Sequence, residues 1–321
     1  MQPTDLVKIR HLGPACPGTP DDLFICCASF EERCLGSVRR FRDYRCEQSL
    51  VFVYEEPDQR RERHLRELRE RLEGCGRVQL VPTEESDPVA ALRRLGEEVS
   101  ALQEARRPLR ITLDVTTFTK RHLLLLLRII DTWGQWDSTR LVYTEPDDYV
   151  VSLDQPLSYG TRGVETIATF EGRYDPAKDL LLLVMLGYEG DRARALCEGL
   201  APHHTILVIP RPAYHREWEL RTEEMNAGIM ALVGAANVRY ADARNPATVA
   251  RQLEEILSEP QWSPEKMNHY IAPLSTKPQA IGLYAYIRRH PHVARVVYAA
   301  PHRHNQEYFS TGVGPTWFLP R

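Results

Sequence analysis

The segment Asp22–Arg33, "DLFICCASFEER", runs from a continuous apolar stretch through a small residue and an aromatic straight into charge. Asp179–Arg192, "DLLLLVMLGYEGDR", repeats the step, with Gly187-Tyr188-Glu189 standing where Ser29-Phe30-Glu31 stands. Phe30 and Tyr188 lie 158 residues apart. A short apolar run of this kind, bounded by a turn, reads as a strand buried on both faces.

Working outward, further landmarks recur in the same order. "ESDPVAALRRL" matches "ARNPATVARQL" with Pro88 and Pro246 158 apart, and "TFTKRHLLLLLRII" matches "PLSTKPQAIGLYAYI" with Lys120 and Lys277 157 apart. "RLVYTEP" matches "RVVYAAP" (Pro146 and Pro301, 155 apart), and "RGVET" matches "TGVGP" (Gly163 and Gly312, 149 apart). Five ordered landmarks at nearly one offset point to a tandem duplication. The alternative is two unrelated α/β domains sharing generic alternation.

Each copy alternates strands with helices. In the first, strands are expected at Leu23–Ala28, Leu50–Tyr54, Val78–Val81, Leu109–Asp114 and Arg140–Tyr143. Helices are expected at about Glu31 to Phe41, within "DQRRERHLRELRERLEG", at Pro88–Leu102 and at Thr119–Trp133. The second of these helices carries Leu65, Leu68 and Leu72 on one stripe, with Glu62/Arg66 and Glu67/Arg71 as i,i+4 pairs and Gly74 as its stop. Alternation on this scale predicts parallel sheets with right-handed crossovers. The fold class expected is therefore α/β: two Rossmann-like, doubly wound, mostly parallel domains in tandem. The first, with an N-terminal extension, spans 1–171 and the second 172–321; Asp154–Pro176 holds the first copy's tail and the linker.

Bulk properties narrow the function. A chain of 321 residues exceeds the roughly 250–300 at which single cores stop growing, which favours two domains. The formal net charge of -3 offers no basic field for direct nucleic-acid or anionic-membrane binding. No apolar run approaches the roughly 18 residues of a membrane span, and "MQPTDLVKIRHLGP" lacks the apolar centre of a signal peptide. Seven cysteines without CxxC spacing fit reduced thiols in a cytoplasmic protein. Cys34 sits in an expected first helical turn, where a thiolate is favoured, but reads as an incidental buried thiol. His290, His292, His302 and His304 have no Cys or carboxylate partners at ligand spacing, so neither metal nor cofactor is expected. The basic run Arg60–Arg71 is balanced by glutamates and reads as a solvated face.

Open parallel sheets bind ligands beyond the carboxyl ends of their strands, where strand order reverses. "ASFEER" is the turn leaving the first strand, so Ser29, Phe30, Glu31 and Arg33, with Gly187, Tyr188, Glu189 and Arg192 in the second copy, are candidate ligand contacts. Glu31 and Glu32 equally suit a helix first turn by complementing its dipole. "DVTTFTK" (Asp114–Lys120) and "PLSTKP" (Pro273–Pro278) each follow a strand and open a helix with hydroxyls and a lysine. Thr117, Thr119, Lys120, Ser275, Thr276 and Lys277 are thus candidates for cradling a phosphate, while Thr119 or Ser275 also suits a plain N-cap. No GxxxxGK[ST] and no GxGxxG is present.

The segment "YIAPLSTKPQAIGLYAYIRRHPHVARVVYAAP" resembles the end of CARF domains, the Rossmann-like sensors of CRISPR-associated and related antiviral proteins. Thr276, Lys277 and Pro278 match that group's Thr-Gly-Gly-Thr-Lys-Pro turn; Leu274-Ser275 stands where the glycine pair would be. Two such units in one chain also resemble SAVED domains. The resemblance implies a sensor for a nucleotide-type ligand, such as a cyclic oligonucleotide, held between the strand ends of two halves. Phosphate or ribose contacts would come from Thr119, Lys120, Thr276 and Lys277, hydroxyl contacts from Glu31 and Glu189, and stacking from Phe30 and Tyr188. With nearly all the chain used by two copies, output would pass to a separate effector protein or to self-association. The rival reading is a nucleotide- or nucleoside-processing enzyme using Glu31 and Asp114 (Ile271 lies 157 residues beyond Asp114). A third is a protein-interaction scaffold.

Overall fold

A computed structural model describes residues 6–55, 58–84, 87–105, 108–150, 155–307 and 309–320. The first five residues of the N-terminal segment, Glu85-Ser86 of the repeated "ESDP" and Asp154 at the head of the expected linker lie outside them. The chain forms two compact units, one of residues 6–150 with 310–319, the other of 151–309 with both extreme termini.

Up to residue 166 the elements are β1 (Val7–Ile9), β2 (Asp21–Ala28), β3 (Cys46–Tyr54), α1 (Gln59–Glu73), β4 (Arg77–Thr83), α2 (Pro88–Ala105), β5 (Ile111–Asp114), α3 (Lys120–Thr132), β6 (Thr139–Thr144), β7 (Asp148–Tyr149), β8 (Ser158–Tyr159) and β9 (Gly163–Thr166). Then come β10 (Asp179–Met185), α4 (Gly190–Leu200), β11 (His204–Pro210), α5 (Arg216–Met225), α6 (Ala227–Val233), β12 (Val238–Ala241), α7 (Pro246–Leu257), β13 (Met267–Pro273), α8 (Lys277–Arg289), β14 (Ala294–Ala300), β15 (Arg303–His304), β16 (Ser310–Thr311) and β17 (Thr316–Leu319).

The first unit's sheet runs β1-β17-β6-β5-β2-β3-β4 and the second's β12-β11-β10-β13-β14-β9. β2 through β6 pair in parallel, as do β10 through β14. Numbered within its unit, each parallel set has the order 3-2-1-4-5. Right-handed crossovers in that order put helices on both faces and reverse direction between strands 1 and 4. The mixed α/β, parallel-rich architecture expected from the alternation is present in both units.

The central strands are as apolar as double-sided burial requires: all eight residues of β2 are buried. Phe24, Cys26 and Ala28 share a core cluster with Leu68 and Leu72 of α1, and Leu182 and Val184 share the corresponding cluster with Ala193 and Leu196 of α4. Two buried carboxylates at the strand's start were not anticipated. Asp21 accepts from Tyr44 (2.8 Å), Thr112 (2.6 Å) and Arg140 (3.0 Å), and Asp22 from Arg110 (2.8 Å), tying β2 to its neighbours.

Two expectations are corrected. The helix expected from about Glu31 to Phe41 is instead two single 3-10 turns, Glu32–Leu35 and Val38–Arg40. Gly36 packs where an added Cβ would lie 2.3 Å from the Thr144 hydroxyl, and Ser37 donates to Asp114, so tertiary contacts at Gly36-Ser37 override helical continuation. The unit boundary also differs from 171/172. β9 follows the first unit's fifth strand yet pairs antiparallel with β14, while β17 follows the second unit's fifth strand yet pairs antiparallel with β6. Each sheet's fifth strand is thus covered by a tail from the other half of the chain, which removes an open edge. The preceding short strands are exchanged likewise: β16 pairs with β7 (Ser310 opposite Tyr149), and β8 with β15 (Ser158 opposite His304). Gly160 and Gly312, each two residues after its serine, both have positive φ (61° and 67°). Gly160 rather than Gly163 therefore holds the place of Gly312. Among the described residues no helix is long and apolar enough to cross a membrane.

Candidate functional site

In both units the candidate residues sit at the carboxyl ends of strands 1 and 4. In the first, Ser29 Oγ accepts the Glu31 N–H (3.2 Å) and the Ser29 carbonyl faces His64 Nδ1 (2.9 Å), which fixes the turn. Phe30 lies under the Arg60 guanidinium, 5.8 Å from its ring centre. Glu31 is only 6% exposed and is gripped by Arg33 through two bonds, Nε (2.8 Å) and Nη2 (3.1 Å). Ser310 Oγ donates to the same carboxylate (2.5 Å), and Arg33 Nη1 donates to the Tyr143 hydroxyl (3.3 Å). Burial works against the Arg33 charge, but Glu31, Tyr149 and Tyr143 outweigh it, so its pKa moves up and the guanidinium stays charged.

The second unit repeats this quartet. Arg192 Nη1 donates to Glu189 (2.6 Å), Ser158 Oγ donates to Glu189, and the Arg192 guanidinium lies 4.8 Å from the Tyr298 ring centre. Arg192 Nε also donates to the Ala299 carbonyl (2.8 Å). Gly187 is a steric requirement: an added Cβ would lie 2.5 Å from the Leu274 carbonyl oxygen, so the turns after strands 1 and 4 touch. Tyr188 beside it is buried.

The Thr-Lys pairs also hold equivalent places. Thr119 is the N-cap of α3, accepting from His122 N (3.3 Å), and Lys120 is the helix's first residue. Thr276 is the N-cap of α8, accepting from Gln279 N (3.2 Å), and Lys277 comes first. Thr117 Oγ1 donates to the Cys27 carbonyl (2.7 Å), bridging strands 1 and 4. Thr276 Oγ1 donates to the Ala243 carbonyl (2.7 Å). Ser275 Oγ is buried and, among the described residues, has no hydrogen-bond partner.

Asp114 does not stand open beside Glu31. It is 2% exposed and accepts from Ser37 Oγ, Thr116 Oγ1 and Thr116 N (2.9 Å). Burial raises its pKa, against the hydrogen bonds from Ser37 and Thr116. Pairing registers set Leu113 opposite Ile25 and Ile271 opposite Leu183, so Ala272 rather than Ile271 is its counterpart. The Cys34 thiol is buried and its pKa pushed well up by that burial, which removes any thiolate. Among the described residues no group of His, Cys, Asp and Glu could hold a metal.

The structure therefore joins Glu31 to Arg33 and Glu189 to Arg192, and sets each Thr-Lys pair at a helix start. Ser158, Ser310, Tyr143 and Tyr298 were missed as partners. Their signal was present, as Ser-x-Gly in both tails and as the shared "VY" of strand 5. No family model matches the chain, and no curated protein matches it.

Proposed function

We propose that the chain arose by tandem duplication and that its two Rossmann-like units serve as a sensor for a nucleotide-type ligand. The observation that carries this reading is the position of Thr119-Lys120 and Thr276-Lys277. Each pair is the N-cap and first residue of the helix after strand 4, beside the point where strand order reverses. A helix start there offers N–H groups and a cationic side chain to a phosphate. The Ser275 hydroxyl, buried and without a hydrogen-bond partner among the described residues, supports a polar contact to a ligand at this turn. The match of Thr276-Lys277-Pro278 to the CARF turn makes a cyclic oligonucleotide the first ligand to test, with output to a separate effector protein or to self-association.

Glu31 and Glu189 are held by arginine and serine partners and the Thr119 and Thr276 hydroxyls cap their own helices; the proposed ligand contacts are the Lys120 and Lys277 side chains, with Phe30 and Tyr188 for stacking. The same commitments disfavour the enzyme reading, since Glu31 and Asp114 are both engaged by their own chain. The test is calorimetric titration of the full chain with cyclic di-, tri- and tetranucleotides. Lys120→Ala with Lys277→Ala should weaken binding at least about tenfold, the scale of losing charge-assisted contacts. No binding by the wild type, or equal binding by the double variant, would refute the assignment.

A further inference from the structure

A second cleft lies at the carboxyl ends of β3 and β4, and one of its lining residues, Tyr54, accepts the Thr119 N–H through its hydroxyl (3.0 Å). Its volume is about 540 Å³, and Val53, Tyr54, Glu55, Arg61, Leu65 and Leu80 are among the residues lining it. Arg61 stands in the first turn of α1 and is only 7% exposed. Its backbone N–H is taken by the N-cap Asp58 (2.8 Å), so the helix start is already satisfied. Its guanidinium has no ion pair or side-chain hydrogen bond among the described residues. Arg61 lines the cleft with that guanidinium unpaired among the described residues, where it can take an anion from outside the chain.

The second unit shows how this place looks when the chain fills it. Phe52 pairs opposite Cys27 and Val208 opposite Met185, so Glu55 and Arg211 are equivalent residues, one after each second strand's end. Arg211 closes onto the following helix, donating to Glu219 (3.1 Å) and Glu223 (2.5 Å). In the first unit the charges are reversed, with the acid after the strand and the arginine in the helix. Among the described residues Glu55 and Arg61 form no ion pair, and both line the cleft.

We propose that this cleft binds a free α-amino acid with an apolar side chain. Its carboxylate takes the two-pronged guanidinium of Arg61, and its ammonium group takes Glu55, so the ligand supplies both halves of the missing ion pair. The side chain packs on Leu65, Leu80 and Val53. Charge selects this class over a phosphate: Glu55, Asp58 and Glu62 already outnumber Arg61 around the cleft, so a dianion meets net repulsion and a zwitterion does not. This site is independent of the nucleotide reading above.

The experiment is calorimetric titration of the full chain with L-leucine, L-phenylalanine, L-leucinamide, N-acetyl-L-leucine and adenosine monophosphate. The expected result is saturable binding of at least one of the two free amino acids, with both blocked derivatives weaker. Arg61→Met, which keeps the apolar stem, should weaken binding at least about tenfold, and Glu55→Gln should also weaken it. Lys120→Ala with Lys277→Ala should leave it unchanged. Arg61→Lys guards against misfolding, as it should retain the wild-type melting temperature and intermediate affinity. Absence of saturable binding by both amino acids, equal affinity in folded Arg61→Met, or Arg61-dependent binding of adenosine monophosphate alone would each overturn the proposal.

Discussion

At the residue scale, Glu31 and Arg33 show how a motif that reads as a ligand contact becomes a structural pin. A glutamate, an arginine and a strand exit were all legible in "ASFEER". What the local sequence could not show is that the carboxylate is satisfied from 279 positions away, by Ser310. Glu31 and Arg33 are 6% and 3% exposed, so neither charge is hydrated in the way an open ligand contact would be. Replacing one member of such a pair leaves the other charge buried and alone, at a cost of about 3–5 kcal/mol. Arg33→Met should therefore lower unfolding free energy by that amount. The double variant Glu31→Gln, Arg33→Met should cost clearly less than the two single changes summed, because it strands no charge. Denaturant unfolding of the four proteins measures both. Additive losses would mean that the pair is not coupled as its geometry requires.

At the element scale, most strands and helices were legible because they follow from periodicity and caps. Asp58, Thr119, Asn245 and Thr276 all cap helices through their side chains, and strand 1 of each unit and strand 4 of the first fall within a few residues of the apolar runs that announce them. The segment after β2 was misread because first-turn acids resemble a helix start, while the contacts of Gly36 with Thr144 and Ser37 with Asp114 are non-local. The tails were half legible: their likeness was visible, their destination was not. β17 has antiparallel partners on both sides, Thr316 lying opposite Thr144 in β6 and opposite Ile9 in β1. Ending the chain after Gly314 should strip both pairings while sparing Ser310. The expected outcome is a first unit with an open β6 edge, seen as aggregation in light scattering and loss of its cooperative melting step. A truncated protein that stays monodisperse and melts as the full chain does would show that β17 is dispensable.

At the scale of the whole molecule, the exchanged tails decide what the smallest folding piece is. Sequence similarity divides the chain near residue 171, and a fragment 1–171 would hold all five parallel strands of the first unit. It would nonetheless lack β16 and β17 and carry β8 and β9 with nothing to pair with; fragment 172–321 would be the converse. Each fragment alone would also keep one buried glutamate–arginine pair without its serine, since Ser310 serves Glu31 and Ser158 serves Glu189. Strand pairing and the burial of polar groups both favour reassembly over independent folding. Expressed separately, the fragments should be poorly soluble or lack a cooperative melt. Expressed together, they should co-purify as a one-to-one complex with the chromatographic size of the intact chain. The discriminating measurement is size exclusion and thermal melting of each fragment and of the mixture. Two fragments that melt cooperatively alone and do not associate would mean that the units own their strands, and the reciprocal exchange would have to be abandoned.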